Sequence, residues 1–562
     1  MKARASKRRQ RGGALLIIAA LLVLGIGWGA MTALGKTAPP GQAEREIKTA
    51  AALQAAKQAL LGYVVQLAAR SDNPVPGQLP CPEALTAIGG TSAGDEDTTC
   101  SSLVGRLPWR TLGIAPLYDG DAEPLWYVLS PGFRSAPLNF ASTGQVPYTS
   151  GGTASNVVAI IIAPGAPLNT ASAGTPPAGC SAVNQHGSNR KQAPLNAANF
   201  FECGNASGNY IHLGHSDWTN DRVIAVTTAE WIAAITPVIG DRMQREVAPA
   251  IRDWDAYELA QTGKSWGSTH GLGYLPFASD WENPAGTGAT VFCGNQSTVR
   301  GLMPIESTCY DNPWTVSGLT TGGLLSLLGF GTGCTDAGSY LRCRFARILG
   351  IGPGSAQITL TASNVARAFR STLRASDITL SHSGSVAMSA SLPNLTSDAT
   401  MTVNVSWTAG VLGLLAVGEL VSVDVPHLQA ARIHSDPRIT WFRNNGWHRY
   451  TWYAVSPDAT ASNANPWEAC DFAGGPGCLI VNYLPASTGV TNDKQLVLVL
   501  SGAPLGTQTT PSADLTQYFE AQNASLGVIY EIGISSSTFN DRVATCPFKY
   551  VDHSGANVTI CN

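Results

Sequence analysis

Residues 200–227 read FFECGNASGNYIHLGHSDWTNDRVIAVT, and residues 518–546 read YFEAQNASLGVIYEIGISSSTFNDRVATC. Asn205 answers to Asn523, and Asn220-Asp221-Arg222 to Asn540-Asp541-Arg542, 318 and 320 positions on. Working upstream, VVAIIIAPGAPL (157–168) stands beside LVLVLSGAPL (496–505), and LWYVLSPGFR (125–134) beside TWYAVSPDAT (451–460). Pro167 matches Pro504 at 337, while Trp126 matches Trp452 and Pro131 matches Pro457 at 326. Matches that keep their order with so little drift mean one module used twice.

Each copy is preceded by a helical pattern. In AEREIKTAAALQAAKQALLGYVVQLAAR (43–70), Ile47, Leu53, Leu60, Leu61, Val64 and Val65 fall largely on one face, and the pattern stops before SDNPVPGQLPCP. DRMQREVAPAIRDWDAYELAQTG (241–263) plays the same part before GLGYLPFA. Leu79-Pro80 and Leu275-Pro276 differ by 196 positions, against 326 at the Trp-Tyr pair, so the second copy carries about 130 extra residues between these marks. Inside that insertion AQITLTAS, SVAMSASL and MTVNVSW alternate as half-buried strands do. Further strands are expected at 125–129, 156–162, 210–213 and 222–227, and at 451–455, 495–500, 527–534 and 542–545. A helix laid on an antiparallel sheet gives an α+β fold. The expected organisation is a basic leader 1–13, a transmembrane helix 14–35, a first module 36–235, and a second module 236–562 with a β-rich insertion at about 310–440.

The expected transmembrane helix rests on residues 12–35, which hold no ionisable side chain. At 1.5 Å per residue they just exceed a bilayer core of about 30 Å. Lys2, Arg4, Lys7, Arg8, Arg9 and Arg11 precede them with no acid among them, which predicts a cytoplasmic N-terminus and an exported remainder. An ordinary cleaved signal fits less well, because the apolar run is long and Met31 and Lys36 stand ahead of Ala33 and Ala38 where small residues are wanted. Composition agrees with export: 59 glycines and 34 prolines in 562 residues, with only 13% charged, describe a loop-rich β protein. Setting the six leading bases aside leaves 29 Lys and Arg against 38 Asp and Glu, so no basic surface argues for nucleic acid.

Twelve cysteines, with no CxxC pair, argue for disulfides in an oxidising compartment rather than for zinc. Sequence alone fixes no pairing. The simplest arrangement joins neighbours: Cys81 with Cys100, Cys180 with Cys203, Cys293 with Cys309, Cys334 with Cys343, Cys470 with Cys478 and Cys546 with Cys561.

The basic leader ending at glycine, the apolar run RGGALLIIAALLVLGIGWGAMTAL, the amphipathic helix and the disulfide-bearing β head resemble the type IV pilin and type II secretion pseudopilin superfamily. The resemblance covers about 35 residues at the start, the first helix and a C-terminal cysteine loop. It implies cutting by a prepilin peptidase after Gly12 or Gly13, leaving a methylated Gly13 or Ala14. It also implies an inner-membrane, single-pass location with the head periplasmic or in a filament, and other pilin or pseudopilin subunits as partners. Major pilins carry a glutamate at the fifth mature position; here that place falls on Ile17 or Ile18. An unpaired acid in hydrocarbon costs several kcal/mol, so its loss removes both a penalty and a register device. The family's largest pseudopilin shares that loss and sits at the filament tip, which points to a tip or minor subunit. Pro39-Pro40 breaks the helix where pilin stalks usually continue.

Several motifs carry possible chemistry. GTSAG (90–94) has the letters of a nucleophile elbow but sits in a Gly-Thr-Ser loop. His212 and His215 would face opposite sides of a strand. Asp95, Glu96 and Asp97, with Asp119, Asp121 and Glu123, form two oxygen clusters of the type calcium takes, yet neither has the spacing of a known calcium loop. The plainer reading is solvated turns and no cofactor. The repeated Asn-Asp-Arg reads as a turn whose arginine is held by a nearby acid, and the tryptophans of ITWFRNNGWHRYTWY as packing. No nucleophile, base and orienter assemble, so the chain is expected to be a non-enzymatic filament subunit. The competing readings are a hydrolase using residues in the range 334–448 and a passive binding or adhesin module.

Overall fold

The computed structural model describes residues 40–547, apart from 87–89, 171–173, 183–187, 192–194, 253–274, 276–277, 280, 282–298, 306–313, 323–331, 339, 347–353, 363–374, 383, 391–398, 408–419, 428–435, 457–476, 485–490, 511 and 526. They divide into two compact units. One holds residues up to Val64 with Gln78–Ser135 and Ser142–Trp231; the other holds Val65–Gly77, Ala136–Ala141 and the chain from Ile232 onward.

In the first unit, helix α1 (Pro40–Ala68) buries Thr49, Ala52, Leu53, Ala56, Leu60 and Val64 at steps of three and four. Leucines alternate with small residues along this face, and Ile47, expected on it, is 47% exposed. Polar fasteners run the helix's length. Arg222 forks onto Glu46 at 2.6 and 3.0 Å, Thr49 Oγ1 accepts from Gly120 N, and Lys57 Nζ donates to Ala225 O and Glu230. The strands are β1 (Val104–Arg106), β2 (Trp126–Leu129), β3 (Val146–Ser150), β4 (Thr153–Val157), β5 (Ala159–Ala163), β6 (Tyr210–His212) and β7 (Arg222–Val226). They form an antiparallel sheet ordered β1-β2-β5-β7 and a smaller sheet β4-β3-β6, in which β3 and β6 are parallel. Trp126 centres the core, with Phe200 and Phe201 rings 4.7 and 5.1 Å away. Helix α2 (Thr228–Arg242) opens on a capping box: Glu230 accepts from Thr227 N, and Thr227 Oγ1 accepts from Glu230 N.

In the second unit, the helix continues through a π turn (Met243–Val247) into α3 (Ala248–Arg252). Pro249 has no N–H to offer the carbonyl four residues back, and here Ala248 N–H reaches Met243 O instead. Strand β8 (Arg300–Gly301) is followed by β9 (Thr315–Gly322), β10 (Thr332–Asp336), β11 (Tyr340–Ala346), β12 (Gly354–Ala362), β13 (Thr379–Leu380), β14 (Gly384–Ala390), β15 (Ala399–Trp407) and β16 (Leu420–Pro426). Strands β9 to β16 make two four-stranded sheets, β10-β11-β16-β13 and β14-β15-β12-β9, around one core. The alternation shows directly in burial: Ile358 and Leu360 with Val403 and Val405 face Cys343 and Phe345 with Val421 and Val423, a β-sandwich. The chain then forms α4 (Thr440–Asn444), β17 (Thr451–Val455), β18 (Leu479–Tyr483), β19 (Thr491–Leu500), β20 (Ile529–Ile532) and β21 (Arg542–Pro547).

The sheet of β8 and β17–β21 repeats the wiring of the first unit. Trp126 pairs with Ile162 as Trp452 pairs with Val499, and Arg222 pairs with Ala163 as Arg542 pairs with Leu500. β18 and β20 are parallel, as β3 and β6 are. The one long strand β19 does the work of β4 and β5 together, which are separated at Val158. Even an isolated bridge recurs, Glu83 with Arg106 and Ser279 with Leu302, 196 positions apart. Beside each bridge stands a glycine that a methyl group would drive into backbone: Gly105 against Glu83 O, and Gly301 against Ser279 O. Because a carbonyl cannot swing away as a flexible side chain does, Gly301→Ala is expected to cost about 3 kcal/mol by separating the paired Ser279 and Leu302 backbones. Chemical denaturation measures it.

Two expectations are corrected here. The fold is predominantly β, with five sheets and few helices among the described residues, rather than the expected α+β fold of a transmembrane helix followed by two tandem helix-plus-antiparallel-sheet modules, the second with a β-rich insertion. The excess of sheet comes largely from the sandwich, where strands such as β9, TVSGLTTG, add to those that the alternation marks. The single-pass inner-membrane location is likewise not retained. No helix among the described residues is long and apolar enough to cross a membrane. Helix α1 has the length, 29 residues, but carries Glu44, Arg45, Glu46, Lys48 and Lys57. The expected span 14–35 lies outside the described residues.

Candidate functional site

The repeated residues converge on one buried arrangement in each unit. In the first, Glu202 N and Asn205 Nδ2 both donate to Asp221 Oδ2 at 2.9 Å, and Asn220 N donates to Glu202 Oε2. Asn205 Oδ1 accepts from Ile211 N, and Asn220 Nδ2 donates to Ala166 O. In the second, Glu520 N and Asn523 Nδ2 donate to Asp541 Oδ2 at 3.0 and 3.1 Å, and Asn540 N donates to Glu520 Oε2. Asn523 Oδ1 accepts from Glu531 N, and Asn540 Nδ2 donates to Ala503 O. The residues after the two glutamates, Cys203 and Ala521, both take the left-handed backbone, at φ 49° and 50°. That conformation is uncommon without glycine, so the same strain is held in both copies.

Each arrangement stitches a loop to the start of the last strand, and its acids are sealed from solvent. Burial and then the charge of Asp221 push the Glu202 carboxyl well above the usual range; burial raises Asp221 as well. Two like charges this close in a low-dielectric interior cannot both ionise. Glu202 Oε1 and Asp221 Oδ1 have no other partner, and one proton held between the carboxyls satisfies both. In the second unit, burial and the neighbouring Glu520 hold Asp541 well above its ordinary value. Sequence reading placed the aspartates but passed over Glu202 and Glu520, although both follow an aromatic pair in matching positions.

The arginines of the two motifs differ. Arg222 is held by Glu46 as expected, whereas Arg542 Nε has no partner among the described residues. Arg190, nearly fully buried, donates to Gly165 O, Asn199 O and Phe200 O beside the first acid pair. Gln508, 318 positions on, donates to Thr516 O and Glu520 in its place.

The six acids of the oxygen clusters are each engaged by the chain itself. Asp97 accepts from the backbone and hydroxyls of Thr99 and Ser101, which holds its carboxyl down at about 2, the Ser101 hydroxyl contributing most. Glu96 accepts from Cys81 N and lies 3.2 Å from Arg134; Asp95 lies 3.0 Å from Arg110. Asp119 is fully buried and accepts from Asp121 N, Glu123 N and Gly165 N; Asp121 lies near Arg45 and Glu123 near Arg190. Among the described residues no group of three or more His, Cys, Asp or Glu is arranged to hold a metal ion.

GTSAG forms turns, with Gly94 at φ 84° under the Trp109 ring, and not a strand-to-helix elbow. His212 Nδ1 meets Val223 O, and His215 is exposed. Disulfides join Cys81 with Cys100, Cys180 with Cys203 and Cys334 with Cys343. Cys478 and Cys546 are also disulfide-bonded. Cys293, Cys309, Cys470 and Cys561 lie outside the described residues, as do Gly12, Gly13 and Ala14.

The aromatic run 439–453 packs inward. Trp441, Trp447, Trp452 and Tyr453 are buried, and Phe140 meets Trp447 and Tyr450 edge-on at 5.1 and 5.2 Å. Its polar residues instead border a cavity of about 550 Å³ in the second unit. No family model, curated protein or solved structure matches this chain.

Proposed function

We propose that the chain is a pilin- or pseudopilin-like minor or tip subunit whose duplicated, disulfide-bonded head takes part in filament assembly, secretion or surface binding. The observation that carries the reading is the repeat itself, one strand order and one buried acid pair used twice behind a long helix that starts at Pro40. A doubled head is hard to stack along a shaft and easy to display at an end. The basic leader ending at Gly12-Gly13 and the isoleucines at the fifth mature place support the same role.

The test is the mass of the mature N-terminus in cells with and without the prepilin peptidase. The expected result is a methylated Gly13 or Ala14 that is lost when the peptidase is removed. An N-terminus at Met1 or Lys2 in both strains contradicts the filament role.

A further inference from the structure

One bridge of the repeat is built from different chemistry in the two units. Glu83 and Arg106 stand opposite each other in the first, and Ser279 and Leu302, 196 positions on, hold the same places in the second. The second unit closes its bridge with two backbone hydrogen bonds of 2.8 Å and no charge. The wiring therefore requires neither the acid nor the base. Residues directly opposite in an antiparallel pair point to one face, and here both side chains line a pocket of about 330 Å³ in the first unit. Leu107 and Leu125 are buried in its lining, Trp109 is half-buried over Gly94, and Tyr118, bridged to Pro124, is exposed.

No hydrogen bond fastens the Arg106 side chain. It donates to no other group among the described residues, and its Nε is buried without a partner. Burial pulls the Arg106 pKa down, and the charges of Glu83 and Glu123 oppose that. Glu83 is 4% exposed; burial pushes its carboxyl up, against the Gly94 backbone and the charges of Arg106 and Arg110. Two charges at this depth carry a desolvation cost that the second unit avoids.

We propose that this pocket binds a small uncharged ligand with an apolar body and one group, an amide or a hydroxyl, that accepts from Arg106 and donates to Glu83. An anion would meet the Glu83 carboxylate and a cation the Arg106 guanidinium, whereas a group with both an acceptor and a donor serves both. The leucines and the Trp109 ring take the apolar body. The inference is independent of the filament reading, since it rests on the pocket and on its contrast with the second unit.

Ligand-observed NMR titration of the full chain with probes of one shape tests it: benzamide, benzyl alcohol, benzoate and benzamidine, at about pH 8, well above the ordinary glutamate range. Benzamide or benzyl alcohol is expected to bind, and benzoate and benzamidine about tenfold or more weaker. Whichever neutral probe binds more tightly identifies the amide or the hydroxyl. Glu83→Ser with Arg106→Leu rebuilds the bridge as the second unit has it, so it should keep the fold and lose the preference. Glu83→Gln, which leaves Arg106 without the acid opposite it, should shift the ratio of benzoate to benzamide binding about tenfold toward benzoate. Should the double variant unfold, Glu83→Gln decides. Equal binding of neutral and charged probes, no binding of either neutral probe, a preference that survives in the double variant, or a ratio unmoved by Glu83→Gln would each overturn the proposal.

Discussion

Replacing Arg242 with alanine is expected to destabilise the second unit by about 3–5 kcal/mol, the range for breaking a buried charge pair from one side. Its side chain is 1% exposed and every nitrogen is used. Nη1 donates to Asn73 O at 2.8 Å, Nη2 to Ser71 O at 3.0 Å and Nε to Glu246 at 3.0 Å, while the guanidinium lies 4.1 Å from the centre of the Trp441 ring. Removing it strands two carbonyls and a mostly buried carboxylate whose other oxygen already has no partner. Arg242→Lys should lose less, because it keeps the charge but not the fork. Arg242→Met with Glu246→Leu should recover much of the loss, since neither charge is then left buried alone. Urea denaturation midpoints of the three variants measure this; a double variant that loses as much as Arg242→Ala would contradict the charge-pair account.

The repeat is legible in the sequence because its buried polar residues cannot drift. Asn205 and Asp221, like Asn523 and Asp541, must meet at one oxygen, so the residues themselves survive although the stretch between them is 16 positions long in one copy and 18 in the other. Glu202 and Glu520 were equally fixed yet unread, because a single acid after an aromatic pair looks like a surface residue until its burial is known. In the sandwich, the alternation of AQITLTAS and MTVNVSW marks β12 and β15, whereas TVSGLTTG, which forms β9, pairs small and polar residues and gives no apolar period. Helix α1 was placed correctly but its face was not: alanines at 52 and 56 set the buried side, and a count weighted by large apolar residues drew Ile47 inward. The cavity bordered by the aromatic run 439–453 had no local signature. Asn139 and Arg443 are some 300 positions apart, and only folding brings their segments together.

The second large effect concerns pH. In each unit the native state keeps a proton on a buried carboxyl that the unfolded chain gives up above its ordinary value, 4.5 for glutamate and 3.8 for aspartate. The folded form therefore binds more protons than the unfolded form, and stability falls as pH rises. The contribution is fully present below the ordinary value and is lost as pH climbs through the raised one. The slope is at most about 1.4 kcal/mol per pH unit for each proton held. His448 has the opposite sign: held down at about 3, it adds stability as pH rises to the ordinary histidine value of 6.5, and nothing beyond. The window from about pH 7 to about pH 9 therefore isolates the acid pairs.

Glu202→Gln and Asp541→Asn replace the held proton with an amide. Gln at 202 can still accept from Asn220 N while its amide donates toward Asp221 Oδ1, and Asn at 541 can still accept from Glu520 N and Asn523. The decisive measurement is calorimetric unfolding of the chain and of this double variant across that window. A chain built twice around the same protonated acid pair loses stability from pH 7 to pH 9, while the double variant stays level and is the more stable of the two at pH 9. Equal slopes in both proteins, or an unaltered chain that grows more stable over the window, would contradict the shared proton and with it the common design of the two units.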